Sequence, residues 1–239
     1  MDNLAASNQV RVIIDDNVTP VLLSSALEAF DHVHKTPRGK GQTGLETYGL
    51  LWGYVIPPKT EAGESKIVVT TATIETSAVR HQDWVAPNWE SIKDKKELIE
   101  SYWPNLELVG TFHSHPYESL DEVMKYKGWQ ASEDDDGEGD RIHWPELHNE
   151  LVDSQPLMAH LILTVTQLKK SGWALPSEIE GRDHNGLTFN LGNKKLWLNA
   201  YATTYIEEES DDGLEELICQ MHPGPIKFDS PALSLRMIK

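Results

Sequence analysis

Cysteine is almost missing from this sequence. Cys219 is the only one in 239 residues, so no internal disulfide can form and a reducing compartment is expected. No reactive setting surrounds it in sequence, and a structural thiol is the expected role. No apolar run approaches the roughly 18 residues that a membrane-spanning helix needs. No basic stretch followed by an apolar one opens the chain. A soluble, cytoplasmic protein is therefore expected. Basic residues are few beside acidic ones, 21 against 38, for a formal net charge of −17. That balance argues against nucleic acid and anionic membrane as ligands, while a protein partner with a basic or mixed surface fits better. No internal repeat is present.

What is present is length enough for one large domain with extensions, able to bury a core without disulfides. Val10 to Ile14 reads as a strand. A helix follows, with Thr19 capping it and Pro20 at its first position, running to about His34. Glu46 to Ile56 is a mostly apolar strand stopped by Pro57-Pro58. Its glycines Gly49 and Gly53 mark places where another element approaches closely. Lys66 to Ile74 is β-branched and pairs with it across a polar turn. Residues 76–85 read as irregular, and Pro87-Asn88 opens a helix ending at Trp103. Later come a short helix over Ile142 to Val152, a strand over His160 to Leu168, and a hairpin of Leu187–Asn190 with Lys194–Tyr205 around Gly192-Asn193. Glu207 to Asp212 reads as an acidic linker, Leu214 to Met221 as a short helix, and the proline-containing tail as a segment ordered only against a neighbour. The expected fold is α/β: helices layered on a mixed sheet.

The informative stretch is Glu107 to Asp136. Leu108, Val109 and Phe112 lead into His113-Ser114-His115-Pro116 as a buried strand. Side chains two apart on a strand share a face at a separation of roughly 6.6 Å along the chain, near enough for both imidazoles to tilt onto one metal ion. Pro116 cannot donate to a sheet ladder and is expected to stop the strand there. His32 and His34 have the same spacing, but the apolar pattern before them is helical. Positions two apart on a helix point about 200° away from each other, so these two are expected not to chelate. His143, His148 and His160 have no chelating spacing. The tryptophans are expected in packing roles, with Trp129 the one placed beside the histidines where a partner could be anchored.

Glu46 upstream, His113-Ser114-His115-Pro116, Ser132 and Asp135 together resemble the signature of the JAMM or MPN-plus zinc metalloproteases: a glutamate, His-x-His-Pro and Ser-x-x-Asp. The resemblance covers roughly residues 8–206, with an insertion at 117–131 and an acidic linker and C-terminal extension over 207–239. It implies the layered, cytidine-deaminase-like MPN fold, with a mixed, mostly antiparallel sheet flanked by helices. It also implies a zinc isopeptidase that releases a ubiquitin-like protein from a lysine or from a following peptide. His113, His115 and Asp135 would be the metal ligands, with water in the fourth position. Glu46 would be the general base, and Ser132 would bond the carbonyl oxygen as charge develops on it. Asp134, Asp135 and Asp136 are adjacent, and the family spacing selects Asp135. The family's stretch between second histidine and serine is shorter than the sixteen residues from Pro116 to Ala131 here, and the added loop is expected to gate or shape substrate access. The implied partners are ubiquitin-like proteins or their conjugates and other members of a conjugation system, some such bacterial systems being tied to antiviral defence. Two further readings are a processing protease for a small modifier or sulfur-carrier precursor, and a metal-free MPN scaffold.

Overall fold

The computed structural model describes residues 9–34, 39, 41–60, 63–133, 138–153, 155–179, 185–209 and 215–234. In chain order the elements are β1 (Gln9–Ile14), α1 (Val18–Asp31), β2 (Tyr48–Ile56), β3 (Glu64–Ile74), β4 (Val79–Arg80), β5 (Val85–Ala86) and α2 (Trp89–Tyr102). They continue with β6 (Glu107–Tyr117), α3 (Leu120–Tyr126), α4 (Asp140–Val152), β7 (Leu157–Gln167), β8 (Ala174–Glu178) and β9 (Gly186–Leu191). The last are β10 (Lys194–Glu209), β11 (Glu215–Met221), β12 (Ile226–Asp229) and α5 (Pro231–Ser234). The fold is mixed α/β. Ten strands form one sheet in the order β12-β1-β3-β2-β6-β7-β10-β9-β8, with β11 paired to β10. The β1/β12, β1/β3 and β6/β7 pairs are parallel and the others in this sheet antiparallel.

Alternation along the strands splits the core between the two faces. Leu51, Phe112, Leu161, Leu163, Leu196 and Leu198 pack with Leu22 and Ala26 of α1 on one face. Tyr48, Leu50, Trp52 and Met158 face the other way, against Ile92 of α2 and Leu151 of α4. Gly49 and Gly53 sit where the sequence asks for close approach. A Cβ on Gly49 would lie 2.3 Å from the Phe112 ring, and one on Gly53 1.8 Å from the Val68 carbonyl oxygen. A bulge against β3 between Trp52 and Gly53 goes with that crowding.

Several expectations are corrected. Thr19 does not cap α1: the helix begins at Val18 after Asn17, and the Thr19 hydroxyl instead lies 3.1 Å from that of Ser230. The helix ends at Asp31, with His32 extended. The expected short helix over Leu214 to Met221 is a strand where it is described: Glu215–Met221 pairs with Thr203 to Glu209 of β10, beyond Asn199 where β9 stops, while Leu214 lies outside the described residues. An unpaired ladder supplied by β10 outweighs local helix preference. The tail does not await a neighbour, because β12 joins the sheet parallel to β1, and Phe228 and Leu233 enter the core. β8 and the two-residue β4/β5 ladder are further strands that the pattern did not announce. Pro116 does not end β6, which continues to Tyr117 along β7. β2 has already left at the Tyr48–His113 pair, so the missing proline N–H faces no strand. That departure splits the sheet beside the histidines and opens a cleft. No helix among the described residues is long and apolar enough to cross a membrane.

Candidate metal centre

His113 and His115 project from β6 toward the N-terminus of α4. The Nε2 atoms of the two rings are 3.0 Å apart. Asp140, the first residue of α4, turns its carboxylate onto both, with Oδ1 at 3.1 Å from His113 Nε2 and Oδ2 at 3.5 Å from His115 Nε2. Three ligands placed tetrahedrally around zinc would lie roughly 3.3 Å apart, given bonds of about 2.0–2.1 Å. His113, His115 and Asp140 form a group able to hold a metal ion, and they are the one such group among the described residues. His32 and His34 belong to no such group, but the helical spacing expected of them does not hold: both lie beyond the end of α1, and His34 bridges to Gln42.

The protonation of the group points the same way. The His115 Nδ1 faces the Gly128 carbonyl oxygen at 3.1 Å and must donate to it, so the neutral ring turns an unshared pair on Nε2 toward His113 and Asp140. Three such atoms facing one point suit a shared proton or a metal ion. Burial disfavours a charged His115 ring, but the hydrogen bond and charge of Asp140, with Glu46 behind it, win and raise its pKa to about 9. Burial would likewise raise the Asp140 carboxyl, yet the two histidines hold it well below the usual carboxylate range. A pocket that binds a proton this firmly is electrostatically suited to a metal cation.

Glu46 stands in the segment before β2, only 5% exposed. Burial pushes its carboxyl up to about 7, against the partial pull of His115 and His113. Its backbone is firmly held. Glu46 N–H donates to the His81 carbonyl, and Thr47 exchanges two bonds with Ser114, Thr47 N–H to Ser114 Oγ at 2.9 Å and Ser114 N–H to the Thr47 carbonyl at 3.0 Å. The residue between the two histidines thus ties the glutamate to the histidine strand. Ser132 grips Asp140 from the other side: its N–H donates to Asp140 Oδ2 at 2.8 Å, and its Oγ accepts the Asp140 N–H at 2.9 Å. Gly139 offers no side chain to cap α4, so the distant serine does it.

Two arms of a cleft meet at Glu46 and His115. One, of about 680 Å³, is lined by Asp31, Asp83, Glu118 and Glu122, with no lysine or arginine among the described residues. The other, of about 1100 Å³, is lined by Trp84 and Trp89 together with α4 residues such as Arg141 and Glu146. Ser132 lines both.

Of the residues expected from sequence, His113, His115, Glu46 and Ser132 share one site. Asp135 lies outside the described residues, as do Asp134 and Asp136, and the carboxylate that meets the imidazoles is that of Asp140. Asp140 was overlooked because a fixed spacing from Ser132 was applied across an acidic run of unknown path. Ser114 and Gly128 were also missed. Ser114 was visible as the small polar residue between the two histidines; Gly128 acts through a backbone carbonyl, which has no sequence signature. No protein-family model matches the chain, and no curated protein matches it.

Proposed function

We propose that this chain is a zinc-dependent isopeptidase of the JAMM or MPN-plus kind, with the layered MPN arrangement of helices on a mixed sheet. The observation that carries the reading is the convergence of His113 Nε2, His115 Nε2 and the Asp140 carboxylate in a cleft that Glu46, buried and uncoordinated, also lines. Two imidazoles, one carboxylate and an open fourth position are the donor set of a catalytic rather than a structural zinc. When bound, the ion would supply Lewis acidity, polarising the scissile carbonyl and lowering the pKa of water toward about 7.

The side chains supply the rest. Glu46 has a carboxyl whose pKa is near neutrality, so it can take a proton from the attacking water and return it to the departing lysine amine. Ser132 already uses its Oγ as an acceptor for Asp140, which leaves its hydroxyl hydrogen to donate toward the carbonyl oxygen as charge grows there. Arms on both sides of Glu46 and His115 give room for chain on both sides of the bond, which suits a protein conjugate better than a small metabolite. The products are a free C-terminal carboxylate and a free amine.

The test is to load the purified protein with zinc and offer it a lysine-linked ubiquitin-like fusion beside a linear precursor of the same modifier. Release of the modifier with an intact C-terminus from the lysine-linked substrate is expected. Preferential cleavage of the linear fusion would make it a processing protease. A folded protein that takes up no zinc would remove the enzymatic reading altogether.

A further inference from the structure

We infer that the 117–131 insertion is a positioning element for the metal ligands, and that its working atom is the carbonyl oxygen of Gly128. The inference rests on the metal-centre reading above and assigns to this loop a task other than gating. His115 Nδ1 and Thr164 Oγ1 both bond that single oxygen, at 3.1 and 2.9 Å. His115 and Thr164 are register partners on the adjacent parallel strands β6 and β7, so the two side chains stand together on one face of the sheet. One carbonyl is therefore clamped by the ligand it orients and by the neighbour of that ligand. With Nδ1 as the donor, the His115 ring presents Nε2 to His113 and Asp140 and cannot turn over without breaking the bond.

The insertion is built to aim this oxygen. α3 is capped after Tyr126 by Lys127, whose φ of 52° makes it the one residue other than glycine with a left-handed backbone among the described residues. The Gly128 N–H then returns to the Val123 carbonyl, which fixes the turn. A Cβ on Gly128 would lie 2.3 Å from the Tyr117 ring, so the chain passes directly beneath that ring at the one position without a side chain. Beyond it the Trp129 carbonyl accepts from Asn199 Nδ2, and the Trp129 ring stacks on Trp197. Val123 packs with Trp197 and Ile179, and Tyr117, Leu120 and Trp129 pack against them. A loop pinned on both sides of its active carbonyl is a support rather than a lid.

Thr164 is the means of testing this, because it touches the oxygen and not the metal. Zinc affinity is measured by competition with a chromogenic chelator for the wild type, Thr164→Val and Thr164→Ser, with thermal unfolding of each variant as the control for folding. Thr164→Val removes the hydroxyl at nearly constant shape and should weaken zinc binding by about tenfold or more, as expected for losing support behind a metal ligand. Thr164→Ser keeps the hydroxyl and should bind as the wild type does. Nitrogen NMR of the zinc-loaded protein should place the His115 proton on Nδ1, with faster solvent exchange in Thr164→Val. Equal zinc affinity in the valine variant and the wild type would overturn the positioning role while leaving the metal centre standing. No zinc uptake by the wild type would remove both.

Discussion

Ser132 and Asp140 hold one another by a reciprocal pair of hydrogen bonds across seven intervening residues of acidic, glycine-containing chain. Each N–H is answered by the other's side chain, so the loop between can vary in length while the carboxylate stays aimed at the histidines. Asp140→Asn should therefore strip the bound zinc and abolish turnover, whereas Asp135→Asn should retain both. Zinc content by atomic absorption checks this directly. The reverse pattern, metal lost with Asp135 and kept without Asp140, would reassign the third ligand.

Glu46→Gln should keep zinc and lose turnover by roughly 10²–10⁴-fold, the ordinary cost of removing a general base. The wild-type rate should rise with pH as the carboxyl gives up its proton. That carboxyl is the one that burial pushes up to about 7 in the metal-free site, and a bound cation pulls on it in the opposite direction. In the glutamine variant this limb should be missing from the residual activity.

Behind the site, Thr111, His160, Thr203 and His148 form a buried chain of hydrogen bonds that ends on the Gln155 carbonyl. Every atom is satisfied when both rings are neutral. Burial lowers the His148 pKa to about 4. Its stabilising effect is whole above the unfolded value of about 6.5 and is lost as pH falls from there toward about 4, because the unfolded chain takes up the proton first. Glu46 acts in the opposite direction in part of this range, so wild type and His148→Gln must be compared. The advantage of the wild type in urea unfolding should shrink by on the order of 3 kcal/mol between pH 7 and pH 4. A constant difference would mean that His148 is not neutral in the fold.

Glu75 is wholly buried at the end of β3, where Lys95 of α2 meets it at 2.7 Å and the hydroxyls of Ser77 and Ser91 donate to it. Lys95→Met would leave that carboxylate without its cation and should cost roughly 3 kcal/mol or more of stability. Lys169→Met, which breaks the exposed pair with Asp121, should leave the unfolding curve unchanged. Equal effects of the two would show that burial does not govern these pairs.

The strands that were legible beforehand are those whose apolar residues recur every second position, or run unbroken, within one segment: β1, β2, β3, β6, β7 and the β9/β10 hairpin. β11 and β12 were not legible, because what makes them strands is a ladder supplied by β10 or by β1, far away in sequence. The same division runs through the site. His113 and His115 could be paired from their spacing because a strand fixes where neighbours two apart point. Glu46 came with them only through the resemblance. Asp140 depends on the path of a loop, and Gly128 on a peptide carbonyl that every residue owns.

β1 has β3 on one side and β12 on the other, and the Arg11–Asp229 ion pair that links it to β12 spans 218 positions. During synthesis the apolar side chains of Val10, Val12 and Ile14 are made early, while the strand that covers their outer edge is still unwritten. Until then that edge is a template open to other chains. Translation that stalls before residue 226 should release a product that clumps rather than folds, whatever the state of its metal ligands.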